Sequence, residues 1–168
     1  MKTRVMALTA CRLTYERLGY LVAAIPFGEV YTAIQTGIVQ GQQGGGTMQA
    51  WMFRDVNNVW LHYKDYIEPN WWSINEDAWN SLDPVDQGII LDTCQEQQQI
   101  QLDYVSQMDE NYMTQLEEYG WTILKPTDEQ WENMAAAVRE DVWPELVPLI
   151  SAEFPDAVCA DLGIPKVT

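Results

Sequence analysis

No stretch of this chain approaches the roughly 18 consecutive apolar residues that a membrane-spanning helix needs, so nothing in it reads as a span. The basic start Met1-Lys2-Thr3-Arg4 is not followed by the continuous apolar segment of an export signal, so none is expected here. There is one histidine, His62, and the three cysteines Cys11, Cys94 and Cys159 stand far apart with no C-x-x-C pair. A zinc site or a dithiol redox motif therefore lacks its ligand set. One disulfide with a free thiol fits the count; three buried thiols is the expectation. Cations are scarce too, with 9 Lys plus Arg against 25 Asp plus Glu, a net charge of −16. That field repels a phosphate backbone, so nucleic acid is not an expected partner. There is no Ser/His/Asp set and no G-x-S-x-G, and Gly44-Gly45-Gly46 lacks the Lys and Ser/Thr of a phosphate-cradling loop. Neither an enzyme nor a cofactor is expected.

What is present is an ordinary globular composition: 168 residues, 47% apolar and 20% charged, enough for one domain with a core. Eight Trp and eight Tyr exceed what such a core needs, which points to some of them lining a cleft or a partner surface. Thr3–Met6 reads as a strand, Cys11–Leu18 as a helix stopped by Gly19, and Leu21–Ile25 as a second strand. Pro26 introduces a helix over Gly28–Thr36 with Glu29 in its first turn, Gly37 ends it, and Ile38–Gln42 reads as a third strand. Gly44–Gly46 forms a flexible turn before a helix from Thr47. Alternating strands and helices with short connections predict a single α/β domain over residues 1–168, a small mixed sheet flanked by helices. Val59–Ile67 and Trp71–Ile74 read as two strands joined by a turn at Pro69-Asn70, and Asn75 as the N-cap of a short helix through Leu82. From Pro84 to Tyr119 the pattern is one very long helix, polar on every face at Gln95–Gln99. Gly120 caps it, Trp121–Leu124 is a strand, Thr127 opens a last helix towards Val142, and Pro144, Pro148 and Pro155 are expected to break up the tail.

The stretch Ile25-Pro26-Phe27-Gly28-Glu29-Val30-Tyr31-Thr32-Ala33-Ile34-Gln35-Thr36-Gly37-Ile38-Val39-Gln40-Gly41-Gln42 resembles the signature of TRAP-transporter solute receptors of the DctP type, which runs roughly x-P-F-S-E-V-Y-T-A-L-Q-T-G-V-V-D-G-Q. Lys2-Thr3-Arg4-Val5 is similar to that family's K-x-R-V-P strand. Asn75–Leu82 resembles its N-x-x-x-W/Y-x-x-L segment, and Glu117-Glu118-Tyr119-Gly120 its E-x-x-G. The resemblance covers about residues 2–150. It implies the second domain of a two-domain periplasmic receptor, standing here without the first, that captures a small organic acid by domain closure and passes it to membrane permease subunits.

By that resemblance Arg4 holds the ligand's carboxylate, which suits a planar guanidinium with two parallel donors. Phe27 either lines the pocket or acts as a hydrophobic staple for its helix. Glu29 caps that helix, and Gly41 holds its family place. The family's D-G-Q-E-N becomes Gln40-Gly41-Gln42-Gln43-Gly44, which removes an asparagine that touches ligand; Gln42 and Gln43 are the amides that could replace it. Trp71 and Trp72 are candidate pocket or interface aromatics, and Glu68 beside them is a weak metal candidate, since one acid does not make a hard-cation site. The alternative reading is a half-receptor that has lost solute binding. The face left by the missing domain would then be covered by self-association, a homo-oligomer, or by another protein.

Overall fold

The computed structural model describes residues 1–65, 71–151, 153–164 and 166. The amino-terminal part is a β-α-β-α-β unit: β1 (Lys2–Val5), α1 (Thr9–Arg17), β2 (Leu21–Ala24), a 3-10 turn (Phe27–Glu29) running into α2 (Val30–Gln35), and β3 (Gly41–Gln42). All pairings are parallel and the order is β2-β1-β3, with Arg4 opposite Ala23 on one side and Gln42 on the other. Gly19 and Gly37 take φ of 88° and 76°, the left-handed conformation that ends each helix and turns the chain back to the sheet.

The third strand is shorter than the sequence suggests. The Val39 amide closes the end of α2 by donating to Ala33 O at 3.2 Å, and its side chain is wholly buried, so extension begins only at Gln40, whose amide reaches Lys2 O at 2.9 Å. Val39 joins Val30, Ala33, Ile34 and Phe53 in the first of two core clusters.

After α3 (Thr47–Met52), β4 (Val59–Leu61) pairs in parallel with β5 (Thr122–Leu124) to form a second sheet of two strands. Val59–Ile67 is thus a three-residue strand; Lys64 at φ 52° ends the extended run, and residues 66 and 67 lie outside the described residues. Trp71–Ile74 is not a strand: it is irregular backbone with all four residues exposed. Between β4 and β5 stand α4 (Glu76–Asn80), capped as expected by Asn75 Oδ1 accepting from the Ala78 amide, and α5 (Pro84–Glu118), a single helix of 35 residues. Asp83 caps α5 at its start, and Gly120, at φ 102°, lets the chain leave it. The carboxyl-terminal end of α5 supplies Leu116 to the second core cluster, with Ala50 and Trp121, while its polar middle, Gln95–Gln99, is exposed.

Thr127 and Gln130 form a reciprocal capping box at the start of α6 (Asp128–Asp141). The tail beyond is broken into two short helices, and two of its prolines stand at their starts. Pro144 sits in the first turn of α7 (Trp143–Ile150), where its missing N–H has no intrahelical partner to lose, and Pro155 does the same in α8 (Glu153–Leu162). Pro148 is carried inside α7. The three cysteines are free thiols; Cys159 is buried, whereas Cys11 and Cys94 are only half-buried.

Truncating the fully buried Leu116 to Ala should cost about 2–5 kcal/mol, and Thr127→Ala about 1 kcal/mol. Chemical denaturation of the two variants checks both, and a Leu116→Ala cost no larger than that of Thr127→Ala would contradict the core assignment.

Candidate functional site at the carboxyl edge of the sheet

In an open parallel sheet the carboxyl ends of the strands, where the strand order reverses, form a natural crevice. Here the chain runs from β1 outward to β2 and then back past β1 to β3, so the reversal lies between β1 and β3. Arg4 stands at that point. It is 5% exposed, with Nε donating to Ile25 O just after β2 at 2.9 Å and Nη1 donating to Gln43 O just after β3 at 3.2 Å. One guanidinium therefore ties together the carboxyl ends of all three strands, and its plane is fixed by two separate carbonyls.

Gln43 is buried and locally committed: its Oε1 accepts from the Met6 amide at 3.4 Å while its carbonyl accepts from Arg4. Gln42 and Gly41 form β3 itself, and Gln42 Oε1 is buried without a protein partner. Phe27 is 49% exposed and packs edge-on against Phe53 at 6.1 Å, so it keeps an open face beside the Arg4 anchor at Ile25. Glu29 lies in the 3-10 turn ahead of α2 and makes no side-chain capping bond there. The structure thus gathers Arg4, Phe27, Gly41, Gln42 and Gln43 around one edge. Trp71 and Trp72 are 76% and 60% exposed and do not line the adjoining cleft. Glu68 lies outside the described residues, and no cluster of metal-ligating side chains occurs among those described.

Next to this edge a cleft of about 710 Å³ opens between the two sheets. Gln40–Gly46 form one wall, Asn57–Asp65 the other, and Thr47, Ala50 and Phe53 of the α3 region lie between them. Gly44 and Gly45 take φ of 102° and 75°, so the loop leaving β3 needs glycine for its conformation and is more than a flexible spacer. At Gly45 a Cβ would also collide with Gln49. One end of the cleft is a tyrosine cluster that sequence periodicity gave no hint of. Tyr15 Oη donates to Asp65 Oδ2 at 3.0 Å, Tyr20 and Tyr63 share a hydroxyl hydrogen bond of 2.6 Å, and the rings meet at 5.4–6.5 Å. Burial, reinforced by the Asp65 carboxylate, raises the Tyr15 phenol well above its ordinary value, so it serves as a donor and not as an anion. The Cys11 thiol is raised by burial and by Asp65, which argues against a reactive thiolate.

A family model described as bacterial extracellular solute-binding protein, family 7, DctP, matches residues 1–146. The chain belongs to this family. No curated protein matches it. Among solved structures it is similar to a TRAP periplasmic solute-binding protein from Sulfitobacter sp. NAS-14.1 with bound β-D-galacturonate, at 19% identity over 95% of this chain and 52% of that one, with a TM-score of 0.80. It is similar to the periplasmic ectoine-binding protein of the TeaABC TRAP transporter from Halomonas elongata, at 22% identity over 96% of this chain and 55% of that one, TM-score 0.78. A third is the TRAP periplasmic solute-binding protein from Sulfurospirillum deleyianum with bound succinate, at 19% identity over 95% and 53%, TM-score 0.75. These likenesses establish the mixed α/β fold with its long helix. The chain spans about half the length of each of these relatives.

Arg4→Ala would not report on ligand binding alone, because it removes donors from two backbone carbonyls as well as a charge. It should lower stability by about 1–3 kcal/mol; an unchanged denaturation midpoint would overturn the clamp. His62, on the cleft wall, has its pKa lowered from 6.5 by burial, and next by Lys64 and Lys125, with Asp109 opposing. The unfolded chain then takes up a proton before the folded one, so His62 weakens folding as pH falls through its unfolded value near 6.5. Comparing urea midpoints of the parent and His62→Gln at pH 8, 7 and 6 isolates this contribution: relative to its value at pH 8, the difference should shift against the parent as the pH falls to 6, and a pH-independent difference would contradict it.

Proposed function

We propose that this DctP-family chain is a solute-binding module of a TRAP-type transport system that takes a small organic acid at the carboxyl edge of its three-stranded sheet, with no bond made or broken. The observation that carries the reading is Arg4, a buried guanidinium held in fixed orientation where the strand order reverses. Such a group presents positive charge within a molecule whose net charge is −16, and its pre-set geometry lowers the ordering cost of binding a carboxylate. Phe27, with its open face, would pack on the ligand's carbon skeleton, and Gln42 would offer an amide. Gln43 supports the site from behind, since its polar atoms serve Arg4 and Met6. Galacturonate and succinate in the related structures are carboxylates of the same class. The module would act in the periplasm as one lobe of a receptor that closes on its ligand and hands it to membrane permease subunits.

A second reading is favoured by exposed apolar side chains on the first half of α5, where Val85, Ile89 and Leu91 are 69%, 58% and 55% exposed. A chain that keeps this surface covered by self-association, and no longer binds a solute, would use it as an interface. A concentration-dependent mass in sedimentation, lost on placing Glu at Ile89, would support that reading.

A thermal-shift screen against mono- and dicarboxylates, sialic acid and sugar acids, with and without calcium, tests the first reading. A ligand at a hundred times its Kd contributes about 2.7 kcal/mol, a rise of roughly 5–10 °C in a domain of this size. Arg4→Lys keeps the charge but loses the planar fork, and should reduce that rise while the protein stays folded. No shift across the panel would overturn solute binding by this chain.

A further inference from the structure

We infer that a recess on the helical side of the domain, between α1, α6 and the start of α7, is a second ligand site that takes a small aromatic carboxylate. Arg4, Phe27, Gln42 and Gln43 do not line it, so it is separate from the carboxyl-edge site. The recess exists because α1 and α6 are tied at two levels with a gap between them. Near the start of α6, Trp131 donates its indole N–H to Tyr63 O at 2.7 Å, which pins the segment after β4 against that helix. At the far end of α6, Asp141 pairs with Arg17 of α1. The space left measures about 200 Å³, and its walls are mainly apolar, from Leu18, Met134, Val138 and the indoles of Trp131 and Trp143.

Size, lining and charge give the occupant its chemistry. An apolar cavity of roughly 150 Å³ takes benzene, so this recess holds one ring with a short arm. The two indoles offer it faces and edges to pack against. Lys64 stands exposed at the rim and forms no ion pair among the described residues. The Trp143 indole N–H likewise has no hydrogen-bond partner among them. Arg139 adds a second cation to the wall; its side chain is 17% exposed and its Nη2 donates to the outer Glu132 at 2.5 Å. The acid on the lining, Asp65, already accepts from the Tyr15 hydroxyl at 3.0 Å. Free donors therefore face the recess, and a carboxylate, which only accepts, is their complement.

The backbone adds an independent observation. Lys64 takes φ of 52°, a left-handed conformation uncommon for lysine. Such a residue persists only where its surroundings over-determine it, and here the carbonyl just before it is held by Trp131. The result is an ammonium fixed at the mouth of an apolar recess, which suits an amphiphile with one charged end. A neutral ring would leave Lys64 and Trp143 unanswered. A dicarboxylate such as succinate would press its second charge into apolar walls.

Phenylacetate titrated into the whole chain, labelled with nitrogen-15, tests the assignment. The indole resonances of Trp131 and Trp143 should shift together along one saturating curve. Benzyl alcohol lacks the charge, hexanoate the ring and succinate both the ring and the single charge; each should bind about 3- to 10-fold more weakly or worse. Lys64→Gln, a change at an exposed position, should weaken phenylacetate by about 3- to 10-fold. Ala135→Leu, which fills the recess, should abolish the shift in a chain that still melts cooperatively; if that variant does not fold, Lys64→Gln decides the matter. No shift of either indole, equal affinity for any comparison ligand, or unchanged affinity in Lys64→Gln overturns the proposal. So does phenylacetate that shifts only the Phe27 and Gln42 amides, which would place it at the carboxyl edge. The Arg4→Lys thermal shift reports on that edge and does not depend on Lys64, so the two readings fail separately.

Discussion

Arg4 holds the amino-terminal half of this protein in register. Parallel strands have no hairpin to align them, and β3 is only two residues long, so backbone pairing alone gives it little hold. The guanidinium supplies what the ladder lacks, with one nitrogen on the carbonyl after β2 and another on the carbonyl after β3. The same placement puts a fixed positive charge where a parallel α/β sheet opens its crevice. The structural role and the proposed binding role therefore fall on one side chain, which is why charge and geometry have to be varied separately to tell them apart.

The two sheets are tied through helices. Phe53 and Ala50, three residues apart around α3, enter different core clusters, and Thr47 Oγ1 donates to Asp109 Oδ1 of α5 at 2.6 Å. Trp121 extends this bridge, its indole donating to Arg54 O at 3.1 Å while Arg54 lies 4.6 Å over the Trp51 ring. The cleft between the sheets is thus framed by rigid parts. The surface ion pairs, such as Arg12 with Glu16 and Arg17 with Asp141, are half-exposed and contribute little beside this packing.

Much of the fold was legible in order along the chain. Gly19, Gly37 and Gly120 mark helix ends because only glycine adopts their positive φ without strain, and Asn75, Thr127 and Gln130 mark helix starts through side-chain bonds to local amides. Such signals act over three or four residues, so they survive in the sequence. Trp71–Ile74 was misread because an apolar run shows the potential to be a strand without showing a partner edge. The tail prolines show how far a local signal reaches: Pro144 and Pro155 mark the starts of two short helices as chain-breaking residues do, whereas Pro148 is carried inside one of them, and only the position of the turn decides which. Of the candidate site, the strand carrying Arg4 and the Phe27 segment could be read from the sequence, because they belong to one contiguous signature. The Tyr15–Tyr20–Tyr63–Asp65 cluster could not, since its members come from separate segments and no local pattern links them.

The sequence by itself determined the α/β class, the long polar-sided helix, the capping points and membership of a solute-receptor family, because these rest on local backbone preference and on contiguous motifs. Tertiary structure alone decided that Arg4 is a buried clamp, that Gln43 backs it, that the sheet is split in two, and that Lys64 and Trp143 border one apolar recess. Those facts depend on which distant segments meet. A side chain's burial and partners are properties of the assembled neighbourhood, and no residue carries them in its own identity.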